Sequence, residues 1–373
     1  MPANICMAGI FKIPCYMADL SSSTPAATTA PEKPRLNWID ALRGLTMVSV
    51  VMVHVLVSGF GLNPERSALA ILRGTFTLPL FFFISGFFLF RPLEEWTRQR
   101  IARALRVRGS ALLLGTILFS TLFFVVMRRE NPFCWLRNAN FVEYWYTISL
   151  FQIFIWYLVA VGIGKLAGRR LFRTVIFLAA AASVALPYTL WADSYWCYWW
   201  LNEKTALYFQ YFALGMIVRR WQKPFFAWLS RPYMLTLLIA AYVSSLIGGW
   251  VYSATLEESC PAVLIFLREE ASRLTGLLLV LRIFYNAREW FDGGSRLLRV
   301  WRLTGRRTLD IYFLHYFFIP RMRWVGPYLK QGNTVIPELA GALAVSLVIL
   351  AVILPLSRLL RSAPILRSLL GAK

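Results

Sequence analysis

The sequence predicts an all-α, polytopic membrane protein of about ten transmembrane helices, with both termini cytoplasmic. Three observations predict it. Of the 373 residues, 58% are hydrophobic and only 16% are charged, against about 45–50% and about 25% in soluble domains. The apolar residues fall in successive runs, most of them long enough to cross a hydrocarbon core at about 20 residues per crossing. Lysine and arginine gather in alternate connecting segments, as the positive-inside rule requires.

Taken in order, the runs place spans at residues 38–60, 68–90, 109–127, 144–164, 174–191, 205–218, 233–252, 262–285, 308–320 and 335–357. The sixth and ninth are short for a core about 30 Å thick. The eighth carries Arg268, Glu269, Glu270, Arg273 and Arg282. Residues 1–34 are rich in Ser, Thr, Ala and Pro and read as a flexible N-terminal tail. Within them, Ile5–Met17 is too short, and too interrupted by Lys12 and Pro14, for a signal peptide. Residues 35–360 form the transmembrane domain and residues 361–373 a cytoplasmic C-terminal tail.

The formal net charge is +22. In a soluble protein that value would suggest nucleic acid, but the apolar content excludes a soluble nucleic-acid binder. With the N-terminus inside, the inner segments hold 28 of the 40 lysines and arginines, the outer segments nine, and the spans three. Crossing of the eighth and ninth runs is part of that pattern; without it, twelve cationic residues between 253 and 334 would all lie outside. The five cysteines include no Cys-x-x-Cys pair and the chain has two histidines, so no Cys/His zinc site is expected, and no other metal. Cys134, Cys197 and Cys260 fall in outer loops, as a disulfide pair among them or as free thiols.

The first span carries the most informative pattern. Asp40, Arg43 and His54 are its ionisable residues. Arg43 and His54 are eleven positions apart, which returns to within about 20° of one helix face after about 16 Å of rise. Asp40 lies on the same side, one turn below Arg43. Ionisable groups inside a span usually face a polar interior or a pathway. Arg43 alone fits inner-surface anchoring, and His54 alone fits a packing histidine. Together on one face they favour a functional seam.

On these residues the chain resembles the membrane acyltransferase-3 family, which acylates carbohydrates and other cell-envelope acceptors. The family's first span has Arg or Lys, ten residues, then His, matched by Arg43 and His54. Leu78-Pro-Leu-Phe-Phe-Phe-Ile-Ser85-Gly86-Phe is similar to its Phe-Phe-x-x-Ser-Gly-Phe signature. Arg100-Ile-Ala-Arg103 resembles its Arg-x-x-Arg loop, and Trp145-Tyr146 and Phe212-Ala-Leu-Gly215 its middle spans. Leu309-Asp-Ile-Tyr312-Phe-Leu-His315 is similar to its late Ser-Tyr-x-Ile-Tyr-Leu-x-His stretch, with Leu309-Asp310 in place of Ser-Tyr. The resemblance covers most of residues 35–360 and takes in both histidines.

The resemblance implies an integral protein of a bacterial inner membrane that moves an acyl group, expected to be acetyl, from cytoplasmic acyl-CoA to a carbohydrate or glycolipid hydroxyl reached from the outer side. Arg100 and Arg103 are then the donor-phosphate ligands, since arginine suits bidentate phosphate contact, and Arg43, counted with the catalytic residues, holds the donor as its thioester arm enters the bundle. The alternative is a basic loop lying on anionic lipid. Ser85, Tyr312 and His315, placed at the inner depth of Arg43, line the donor channel or pack helices. His54 accepts the acceptor's proton or is itself acylated transiently. Glu269 or Glu270, at a depth comparable to His54, orients it, unless Glu269 simply pairs with Arg273 at i,i+4. Arg73 and Trp145 serve the acceptor or the developing oxyanion, or, in the case of Arg73, snorkel to the headgroups. The aromatic run Trp191–Trp200 fits a membrane-interface belt, or a stacking surface for sugar. A transporter of an acyl or glycan species, or a membrane N-acetyltransferase of amino sugars, shares the same polytopic body.

Overall fold

The computed structural model describes residues 35–63, 75–133, 144–185, 203–255, 262–329 and 335–370. Among them there are helices and no strands. The helices are α1 (Asn37–His54), α2 (Thr77–Leu89), α3 (Arg98–Arg128, with internal π-helical turns), α4 (Trp145–Ala167), α5 (Arg169–Ala185), α6 (Glu203–Arg220), α7 (Gln222–Leu229), α8 (Pro232–Thr255), α9 (Ala262–Asn286), α10 (Arg296–Arg306), α11 (Thr308–Phe318), α12 (Val335–Leu360) and α13 (Pro364–Leu369).

Each of the ten expected spans coincides with a helix. By length and apolar composition, four helical segments suffice to cross a membrane: Asn37–Gly59, Arg98–Arg128, Trp145–Ala167 and Val335–Leu360. A fifth crossing exists if α7 and α8, bent by 75° at their junction, are one broken span. Polar content or shortness sets the others apart. α2 is apolar but has 13 residues, about 20 Å of helix. α11 has 11 residues, about 17 Å. α9 carries Arg268, Glu269, Glu270 and Arg273 within one stretch. The four qualifying segments make this an integral membrane protein.

α1 is the hub, packing against α2, α9, α10, α11 and α12. Its first half, from Trp38 to Leu42, joins an apolar cluster with α2, α4, α6 and α7. Its second half, from Met47 to Leu56, joins another with α3, α11 and α12. Arg43 sits where the two clusters meet.

Two crossings are set by glycine. A Cβ on Gly86 of α2 would lie 2.0 Å from the Phe212 carbonyl oxygen of α6, and one on Gly215 would lie 2.0 Å from that of Phe83. The α2 and α6 backbones therefore touch, the small-residue packing expected for Ser85-Gly86. The α1–α10 crossing uses Gly44 and Gly305 likewise, and Trp301 Nε1 donates to the Ala41 carbonyl at 2.7 Å. Arg282 of α9 donates to the Leu229 carbonyl at the end of α7, where the helix leaves acceptors without partners.

The segment after α12 is docked. Leu370 is 1% exposed and belongs to the second apolar cluster, and Arg361 reaches back to Asp310 of α11.

Candidate functional site

α11 runs beside α1 in the same direction, and the two helices hold a polar seam between them. At one end Arg43 Nη2 donates to the Thr308 hydroxyl at 3.0 Å. At the other end the Tyr316 hydroxyl lies 3.0 Å from both ring nitrogens of His54. Thr308, Tyr312 and Tyr316 recur every four residues, which places them on one side of α11.

The Arg43 end gathers residues from several helices. Asp40, one turn before Arg43, interacts with it electrostatically and lies 3.9 Å from Arg306 Nε. Tyr146 of α4 hydrogen-bonds to Ser85 of α2 and interacts with the guanidiniums of Arg43 and Arg108. Arg108 also lies over the Phe154 ring, 5.0 Å from its centroid. Ser85 in turn donates to the Phe81 carbonyl at 2.8 Å. Two cations, a phenol and two hydroxyls thus converge here, a set suited to an anionic ligand.

Tyr312 lies between the two ends. Its ring packs edge-on against Tyr144 and Tyr146, with centroids 5.8 and 5.6 Å away. Its hydroxyl meets the Tyr146 backbone and the Thr147 side chain.

The His54 end is enclosed by aromatic rings. Tyr316 packs on His54 with centroids 4.7 Å apart and stands between Tyr144 and Phe123, each at 5.7 Å. Tyr144 donates to the Phe313 carbonyl at 3.0 Å, holding α4 to α11. His54 is half-buried and ends the regular part of α1; the next five residues, Val55–Gly59, form a π-helical turn. Such turns widen a helix locally and are frequent at functional sites.

His315 corrects one expectation. The sequence places it at the depth of Arg43, yet its ring centroid lies 5.1 Å from that of His54. Seven residues of α11 beyond Thr308 carry it about 10 Å along the helix, because the helix begins at the level of Arg43 and rises beside α1.

A model of the membrane acyltransferase-3 family, described as an acyltransferase domain, matches residues 36–358. The chain belongs to this family. As an acyltransferase-3 protein it is a transferase by family, and the seam between α1 and α11 lies inside the matched region. Comparison with curated proteins and with solved structures gave no match.

The other described site residues inferred from sequence make contacts of their own in this acyltransferase-3 fold. Glu269 and Glu270 are both held by Arg273, Glu269 at 2.8 Å. Glu270 also accepts from Tyr211 at 2.6 Å and from Gln210 at 2.9 Å. This is the i,i+4 pairing of Glu269 with Arg273, extended into a network. Trp145 belongs near that network: it stacks with Tyr208 at 6.0 Å, and Lys204 Nζ lies 4.7 Å from its centroid. Arg100 is exposed and paired with Glu95 at 2.9 Å, and Arg103 is exposed on the same helix. Arg73, Cys134, Cys197, Cys260 and the 191–200 aromatic run lie outside the described residues. Among the described residues no group of three or more His, Cys, Asp or Glu could hold a metal.

Thr308, Tyr144, Arg108 and Tyr316 escaped the sequence reading as site residues. The signal for Thr308 and Tyr316 was present: Thr308, Tyr312, His315 and Tyr316 form a polar stripe on this largely apolar helix.

Proposed function

We propose that this acyltransferase-3 protein moves an acyl group, acetyl in the simplest case, from cytoplasmic acyl-CoA to a hydroxyl of a carbohydrate or glycolipid acceptor reached from the opposite side. The observation that carries the reading is the seam itself. Arg43 and His54 share one face of α1, and α11 meets the first with Thr308 and the second with Tyr316 and His315.

In this reading Arg43 and Arg108 bind the anionic part of the donor, with Tyr146 and Ser85 between them. Arginine keeps its charge in such a place and offers a planar fork to phosphate oxygens. The pantetheine arm then lies along the seam past Tyr312, covering about 16 Å of helix rise between Arg43 and His54. His54 accepts the acceptor's hydroxyl proton as the oxygen attacks the thioester carbonyl. A new C–O bond forms, the C–S bond breaks, and the proton passes from His54 to the departing sulfur. General-base catalysis of this kind contributes about 10²- to 10⁴-fold. The aromatic rings around Tyr316 keep bulk water from hydrolysing the thioester.

The test is transfer from radiolabelled acetyl-CoA into envelope fractions by wild type, His54→Ala and Arg43→Ala. Loss of transfer in both variants, with normal membrane insertion, is the expected result. Undiminished transfer by His54→Ala removes the histidine from the reaction.

A further inference from the structure

We infer that His315 is a positioning residue for His54, its Nε2 accepting the N–H on one ring nitrogen of His54 while the other nitrogen takes the acceptor's proton. The inference rests on the acyl-transfer reading above and moves His315 from the donor channel to the base.

The tautomer of His315 follows from its contacts. Nδ1 lies 3.0 Å from the Ile311 carbonyl and 2.8 Å from that of Tyr312. Carbonyls only accept, so Nδ1 carries the hydrogen and Nε2 carries the lone pair. The residue is 0% exposed, and its Nε2 is a buried acceptor with no hydrogen-bond partner. Buried polar atoms are nearly always paired, and one left open at a site calls for an explanation.

The neighbouring imidazole of His54 supplies it. The His54 and His315 centroids are 5.1 Å apart, and the rings are inclined by 45°. An imidazole nitrogen stands about 1.1 Å from its ring centre, so this separation allows a nitrogen of one ring to approach the other within hydrogen-bonding range. Neutral His54 has one donor nitrogen and one acceptor nitrogen. Protonated His54 has two donors. His315 Nε2 can only accept, whereas the Tyr316 hydroxyl can donate or accept. A ring N–H held by His315 Nε2 leaves the lone pair of the opposite nitrogen for the acceptor's proton, and that hydrogen bond strengthens as His54 becomes charged, which is the condition for accelerating the step. His315 stays neutral throughout: the proton leaves the acceptor oxygen, resides on His54 and departs with the CoA sulfur.

The test uses His315→Gln and His315→Asn in proteoliposomes, with acetyl-CoA varied in steady state. The Gln amide reaches the Nε2 position and can accept there. The Asn amide reaches only the Nδ1 position and preserves the local carbonyl contacts. His315→Asn is expected to lower kcat by about 10- to 100-fold with KM for acetyl-CoA within about twofold. His315→Gln is expected to recover most of that loss. A raised KM with intact kcat in His315→Asn returns the residue to the donor channel and overturns the inference. Equal loss of kcat in both variants overturns it too, since a purely structural role makes no distinction between the two amides. Absence of transfer by wild type overturns the acyl-transfer reading itself, a result separate from either of these.

Discussion

Both carboxylate oxygens of Asp310 are held by Arg361, Oδ2 by Nε at 2.7 Å and Oδ1 by Nη2 at 2.6 Å. Asp310 is 0% exposed, and Ser357 donates to it as well. The same guanidinium donates to the Leu370 carbonyl at 3.0 Å. One ion pair thereby fastens the C-terminal segment to α11, the helix that carries Thr308, His315 and Tyr316. It occupies the position where the chain departs from the family's Ser-Tyr pattern.

Removing Arg361 leaves the buried Asp310 with the longer contact to Arg307, at 3.7 Å, and the Ser357 hydroxyl. Arg361→Ala is expected to destabilise the protein by about 3–5 kcal/mol, read as a lowered melting temperature in detergent. The double variant Asp310→Ala/Arg361→Ala is expected to be less destabilised than the two single losses added together. Additivity would show that the two side chains do not act as a pair.

The hydroxyl of Tyr316 touches both nitrogens of His54, while its ring is packed by Phe123 and Tyr144. Tyr316→Phe keeps the ring and removes the oxygen. A hydrogen bond to a charged group contributes about 1.5–3 kcal/mol, so kcat for acetyl transfer is expected to fall about 10- to 100-fold with an unchanged melting temperature. A wild-type kcat would place the hydroxyl outside the reaction.

Arg43 contacts Thr308 through one nitrogen and interacts with Tyr146 and Asp40. Lysine keeps the charge but loses the fork. Arg43→Lys is expected to raise KM for acetyl-CoA by about tenfold, equivalent to about 1.4 kcal/mol, with a smaller change in kcat. An unaltered KM would argue against donor binding at this end of the seam.

The α2–α6 crossing gives a structural prediction independent of chemistry. Gly86→Ala drives a methyl group into the Phe212 carbonyl and is expected to prevent accumulation of folded protein in the membrane. Gly162→Ala in α4 meets nothing within 4 Å. It is expected to be neutral or to stabilise by about 0.5–1 kcal/mol. Similar yields of both variants would mean that the two backbones are not in contact.

Much of this architecture was legible before any coordinates. Each apolar run became a helix, because hydrophobic length and turn residues act locally. The Arg43–His54 alignment was legible because both residues ride on one helix of known pitch. The glutamates of α9 show where such reasoning stops. Their depth along a helix is comparable to that of His54, but depth says nothing about rotation about the axis, and the contacts they make to Arg273, Tyr211 and Gln210 belong to the tertiary structure.

By itself, then, the sequence determined a helical membrane body, its family, and a cation and an imidazole on one face of the first helix. Only the tertiary structure decided what stands opposite that face. Thr308, His315 and Tyr316 reach it because glycine crossings and a buried ion pair set the translation and rotation of α10 and α11 against α1. Those rigid-body coordinates are properties of packed surfaces, and no periodicity within a single helix encodes them.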